Sequence, residues 1–147
     1  MDSREIDLNE IKRIITEKDY KAVENNGYLL IRKYPRDEEI LKLLCEIFES
    51  DWHTGHEDLA SSFQVIRNPI AAKSLFNVAF SDFEYCRWNE YYPLQRKCTW
   101  ALADIGTVEA KEYLEKIKKN TKIRMIFFFA AKRLKYWDSE LSRKGQK

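Results

Sequence analysis

Two stretches of this chain carry the same apolar pattern at a constant spacing, and no other feature limits the fold as tightly. In the second stretch Cys98, Ala101, Leu102 and Ile105 fall at i, i+3, i+4 and i+7, one apolar stripe of a helix. Gly106 follows at the position that stops helices in the left-handed conformation. Thr107 then stands as the cap of a new helix, with Glu109 and Lys111 in its first turns and Ala110, Leu114 and Ile117 as its stripe. Thirty-nine residues earlier, Leu59, Phe63 and Ile66 match Cys98, Leu102 and Ile105, while Ala71, Leu75 and Val78 match Ala110, Leu114 and Ile117. A repeat of this length reads as a unit of two antiparallel helices that buries its apolar faces only by stacking on its neighbours. A third copy of the first helix is predicted at 122–136, where Ile123, Phe127, Ala130, Ala131 and Leu134 echo Leu94, Cys98, Ala101, Leu102 and Ile105 at an offset of 29. The shorter offset implies about ten extra residues between the first two units, at 81–92.

The helix, glycine stop, threonine cap and second helix of 96–114, with small residues Ala101 and Ala110 where the helices approach, resemble the HEAT repeat. The resemblance is closest to the short HEAT-like type first noted in phycobilisome lyases. It implies an all-α fold, a short α-solenoid of antiparallel helix pairs with about eight helices, in a single domain over 1–147. The likeness covers 56–137; residues 1–50 match it loosely, and 138–147 are expected to be a mobile basic tail. The lead-in Trp52-His53-x-x-His56-Glu57-Asp58 is similar to one in small bacterial HEAT-like proteins, which marks the turn as a shared structural feature.

Ahead of the repeats, helices are expected at 7–16 (Leu8, Ile11 and Ile15 inward), at 19–34 with Asp19 as cap, and at 37–50. Gly27 after Asn25-Asn26 weakens the middle of the second, and Tyr34-Pro35 ends it. Ile40, Leu43, Leu44 and Ile47 stripe the third, and Asp37, Glu38 and Glu39 suit its positive N-terminal end. Residues 51–58 are a turn in which His56 or Thr54 is expected to cap the next helix. Asn68-Pro69 breaks that helix, and Pro69 suits the start of the one after. With only 3 Pro and 4 Gly the chain lacks the turn residues of a β-sandwich or barrel. No run approaches the roughly 18 apolar residues of a membrane span, and Met1-Asp2-Ser3-Arg4-Glu5 lacks a signal-peptide core. A cytoplasmic protein is therefore expected. Cys45, Cys86 and Cys98, odd in number and far apart, fit reduced buried thiols better than disulfides or a zinc site.

Net charge is +2, unevenly spread: from Lys116 onward 11 bases face 2 acids, a net of +9, leaving 15 bases and 22 acids, a net of −7, before it. Such asymmetry speaks about partners rather than fold. The insertion is the richest segment: Phe83, Tyr85, Trp88, Tyr91 and Tyr92 stand among Asp82, Glu84 and Glu90. Large aromatics at a loop are what interfaces use as anchors, and acidic neighbours favour a basic partner; packing over the repeat edge is the alternative for Phe83 and Tyr85. The pair His53 and His56 beside acids invites a zinc reading, but no third ligand is fixed by spacing. Lys116, Lys118, Lys119, Lys122, Arg124, Lys132, Arg133 and Lys135 offer phosphates a basic surface, or simply solvate helix ends. Phe127-Phe128-Phe129 reads as a buried helix or a dimer contact. No cofactor motif, nucleophilic triad or phosphate loop stands out, and Cys98 lies inside an apolar stripe. These readings lead to a non-enzymatic protein-binding module. Among compact bacterial HEAT-like proteins one recurrent role is immunity, and the resemblance implies an immunity protein that occludes a cognate toxin, such as a basic nuclease. Glu84, Tyr85, Trp88, Glu90 and Tyr91 are the expected partner contacts, joined by His53 and Glu57. A nucleic-acid-binding protein using the basic C-terminal third, and a scaffold or accessory protein, are the other readings.

Overall fold

A computed structural model describes residues 1–87 and 90–143. Every regular element among them is helical: α1 (Ser3–Glu17), α2 (Tyr20–Ala22) running through a π turn (Val23–Gly27) into α3 (Tyr28–Lys33), α4 (Glu38–Glu49), α5 (His56–Ile66), a 3-10 turn (Pro69–Ala71) leading into α6 (Ala72–Ala79), α7 (Pro93–Ile105), α8 (Val108–Asn120), α9 (Arg124–Lys135) and α10 (Trp137–Arg143). None of these helices is long and apolar enough to cross a membrane.

Local chemistry sets most boundaries. Asp2, Asp19, Asp37 and Thr107 each accept a backbone N–H as N-caps, at α1, α2, α4 and α8. Gly106 ends α7 at φ 72°, where a side chain would be strained. The helical path does not break at Asn25-Asn26; it widens there into one π turn. Gly27 lets α5 approach this turn closely, because a Cβ there would stand 3.1 Å from Leu59 Cδ2 and that side chain would have to shift. Residues 138–143, expected within the tail, belong to the helix α10, which buried Trp137 anchors.

Packing follows the chain in steps of two. The helix α3 lies on α5, α5 on α7 and α7 on α9; α4 lies on α6 and α6 on α8. Phe48, Phe63, Leu59, Leu75, Leu94, Leu102 and Leu114 fill the middle and are essentially inaccessible. Burying one such side chain is worth about 1.5–3 kcal/mol. The helix α9 deviates from the expected face. Its buried residues are Ile126, Ala130 and Arg133, while Phe127 and Phe128 are exposed. Of the expected Ile123, Phe127, Ala130, Ala131 and Leu134, Ala130 is buried and Leu134 packs partly against the core, while Ile123 and Phe127 are exposed and Ile126 and Arg133 take inward places. At the end of the packed row only one neighbour of its own type, α7, sits against α9, so its outer aromatics meet solvent.

Candidate functional site

The turn between α4 and α5 and the insertion before α7 meet in one place. Four rings make a column: Trp52 stands edge-on to His53 (centroids 5.3 Å apart, 77°), His53 stacks on His56 (4.1 Å, 20°), and His56 stacks on Phe83 (4.0 Å, 22°). His53 and His56 are only 3% and 0% exposed. Hydrogen bonds occupy all four of their ring nitrogens. The Gly55 N–H donates to His53 Nδ1 (3.0 Å), so the ring proton sits on Nε2 and is donated to Ile47 O (2.7 Å). His56 Nε2 donates to Ser50 O (2.6 Å), and its Nδ1 faces the Tyr85 hydroxyl. That hydroxyl also accepts the His56 backbone N–H at 3.2 Å, and with the neutral ring's proton on Nε2 it is Nδ1 that accepts the hydroxyl proton.

Both imidazoles are therefore neutral. Burial, and then the neighbouring His53, lower the His56 pKa from 6.5 to about 4; burial likewise depresses that of His53. Burial raises the Tyr85 phenol well above its usual value and the Cys86 thiol to about 11. The ring nitrogens have no lone pair free for a metal or a proton-transfer step. Among the described residues no group of three or more His, Cys, Asp and Glu side chains is arranged to hold a metal ion. The cap of α5 also differs from expectation. Its N-cap is Gly55, with no side-chain bond, and Thr54 Oγ1 donates instead to Glu24 at 2.8 Å. The first amide of the helix is satisfied by Tyr85, 29 residues away in sequence.

Three rings of this column, Trp52, His53 and Phe83, line an open groove of about 600 Å³ together with Tyr20, Glu24, Asp51, Thr54, Asp82, Glu84 and Tyr85, while His56 lies buried behind them. Among the described residues, four carboxylates and no cation line it. Glu24 is held by the Thr54 N–H (3.2 Å) and hydroxyl, and Asp82 is paired with Arg87. Asp51 and Glu84 form no ion pair among the described residues. The groove is an acidic trough with aromatic walls, suited to a cation carried on an apolar stem: carboxylates take the charge, and ring faces take both stem and cation.

The structure does not gather all the expected contact residues here. Glu84, Tyr85 and His53 belong to the groove, His53 as buried floor. Glu57 faces α7 instead, its carboxylate 3.1 Å from Lys97 Nζ. Glu90 accepts the Tyr92 hydroxyl, and Tyr91 is 65% exposed; neither lines the groove. Trp88 lies outside the described residues. Tyr20 and Glu24 were missed, because they reach the groove from the first helices through the π turn. The only trace of them in the sequence is the weak Asn25-Asn26-Gly27 run. Single-turn π segments inside helices recur at functional sites.

The chain matches no protein-family model, no curated protein and no solved structure. Function is therefore argued from geometry.

Proposed function

We propose that this protein is a non-enzymatic binding module, a short α-solenoid whose acidic, aromatic groove receives a basic segment of a protein partner. The packing of α3, α5, α7 and α9 in one row and α4, α6 and α8 in another supports the solenoid, the arrangement expected when equivalent helices of successive pairs stack. The observation that carries the binding reading is the juxtaposition of Asp51 and Glu84, outside any ion pair among the described residues, with Trp52, Phe83 and Tyr85 around the neutral, fully bonded His53, which is itself stacked on buried His56. A general base needs a free lone pair at the working pH; a floor that gives its lone pairs to the fold suits holding more than turning over. The HEAT-like immunity resemblance supports a cognate toxin, such as a basic nuclease, as that partner, with inhibition by steric occlusion and electrostatic steering.

The test is co-purification from the native host with the tagged full chain and with the tagged Asp51→Lys/Glu84→Lys variant. A basic protein retained by the parent and lost by the variant, and whose toxicity on expression is relieved only by the parent, is the expected result. A partner retained equally by both removes the groove from the interface.

A further inference from the structure

A second site lies across the molecule, between α7 and α9. Arg133 is only 4% exposed, yet its guanidinium is not consumed by an ion pair: it stacks on the Trp100 ring at 3.5 Å, and its Nη1 has no hydrogen-bond partner among the described residues. A buried, under-bonded cation is costly, and burial lowers the Arg133 pKa; Glu140 and Asp104 oppose that shift from nearby, while Arg96 adds to it. Asp104 also accepts a hydrogen bond from Gln64 at 2.8 Å, which divides its charge. Such a cation favours an anion as its neighbour.

Arg133 lines a cavity of about 250 Å³ with Arg96, Thr99, Trp100, Phe128, Phe129 and Lys132. Arg96 and Lys132 are exposed, so three cations converge, and among the described residues no carboxylate lines the walls. The Thr99 hydroxyl is turned away, donating to Arg96 O at 2.8 Å. The volume falls below the roughly 300–1,000 Å³ that encloses a whole drug-sized ligand. It holds an anionic head group and leaves the rest of the ligand outside. Phe128, one of the lining residues, is 53% exposed, with the Arg124 guanidinium 5.8 Å from its centroid. A ring face beside a three-cation pocket is what a planar base attached to a phosphate requires. An acidic peptide would leave the ring idle.

We propose that the α7–α9 cavity binds the phosphate of a nucleotide through Arg96, Lys132 and Arg133 while the base stacks on Phe128. The nucleotide is free or one unit of a single strand, and this chemistry is shared by both sources. This inference is independent of the groove and of the partner assigned to it.

The experiment measures, at low salt, the affinity of the full chain for 5′-AMP, inorganic phosphate, an oligo-dA octamer and a phosphotyrosine peptide. Millimolar or tighter binding of AMP is expected, weakened about tenfold or more by Arg96→Gln/Lys132→Gln, since charge-assisted hydrogen bonds to phosphate are lost. Phe128→Ala should weaken AMP several-fold and leave inorganic phosphate unchanged. Arg133→Met should abolish both; if it does not fold, the exposed double variant and Phe128→Ala decide the matter alone. An octamer bound about as tightly as AMP assigns the pocket to free nucleotides. An octamer bound at least tenfold tighter, with affinity falling steeply with salt, assigns it to a strand. Absence of AMP and octamer binding at several millimolar, tighter binding of the phosphotyrosine peptide, or no effect of the double variant overturns the proposal.

Discussion

Acid should unfold this protein earlier than its carboxylates alone require, because of His56. Its imidazole is buried, and its pKa falls from 6.5 to about 4 on folding. Between those values the unfolded chain binds a proton that the folded chain refuses, so stability is complete above pH 6.5 and declines as pH falls toward 4. A tenfold difference in proton affinity between the two states is worth about 1.4 kcal/mol. At pH 5 the unfolded imidazole is nearly all charged and the folded one about a tenth charged, a loss of about 2 kcal/mol, rising to about 3 near pH 4. The depressed pKa of His53 acts in the same direction. Asp7, Asp19 and Asp37 are also lowered, from 3.8, so their contributions disappear only below that window. Urea unfolding at pH 7, 6 and 5, on the parent and on His56→Gln, isolates the effect. The midpoint of the parent should fall across the series, and His56→Gln should fall less by about 2 kcal/mol. Parallel pH dependence in the two proteins, or an NMR titration of His56 centred near 6.5, would show that folding does not hold this ring neutral.

Further outcomes follow from the same contacts. Tyr85→Phe removes the hydroxyl that serves both His56 Nδ1 and the first amide of α5; the buried groups left unpaired should lower unfolding free energy by about 2 kcal/mol, read by urea unfolding. Thr107→Ala deletes the α8 cap bond to the Ala110 N–H (3.1 Å) and should cost about 1 kcal/mol, read by thermal unfolding. Gly106→Ala, at φ 72°, should cost about 1 kcal/mol by the same measurement. Leu102→Ala, which empties a fully buried site, should cost about 2–5 kcal/mol in urea.

What the sequence disclosed depends on the reach of each physical cause. Caps act within three residues, so Asp19, Asp37, Thr107 and Gly106 announced the helix ends they make. Stripes flanked on both sides by helices of their own row also read correctly, as Leu59, Phe63 and Ile66 in α5 and Cys98, Ala101, Leu102 and Ile105 in α7 are all buried. The stripe held only in part at α9, where Ala130 is buried as expected but Phe127 is 36% exposed and Arg133 is buried. A helix at the end of a row is covered on one side only, and a guanidinium stacked on Trp100 can take an inward place that pattern alone reserves for a hydrocarbon. The groove was half visible. Glu84 and Tyr85 stood out by composition, but Tyr20 and Glu24 arrive through tertiary packing of a π turn, and the capping of α5 by Tyr85 is likewise long-range.

Whether a basic partner segment lies in the acidic groove is decided by one quantity, the dissociation constant of the co-purified partner. It is measured against the parent and the Asp51→Lys/Glu84→Lys variant, at low and at physiological salt. A groove that grips by charge should lose at least about a hundredfold in affinity on the double charge reversal, largely through slower association, with a smaller loss at higher salt. Equal affinities at both salts, in a variant whose unfolding matches the parent's, would place the partner elsewhere on the molecule.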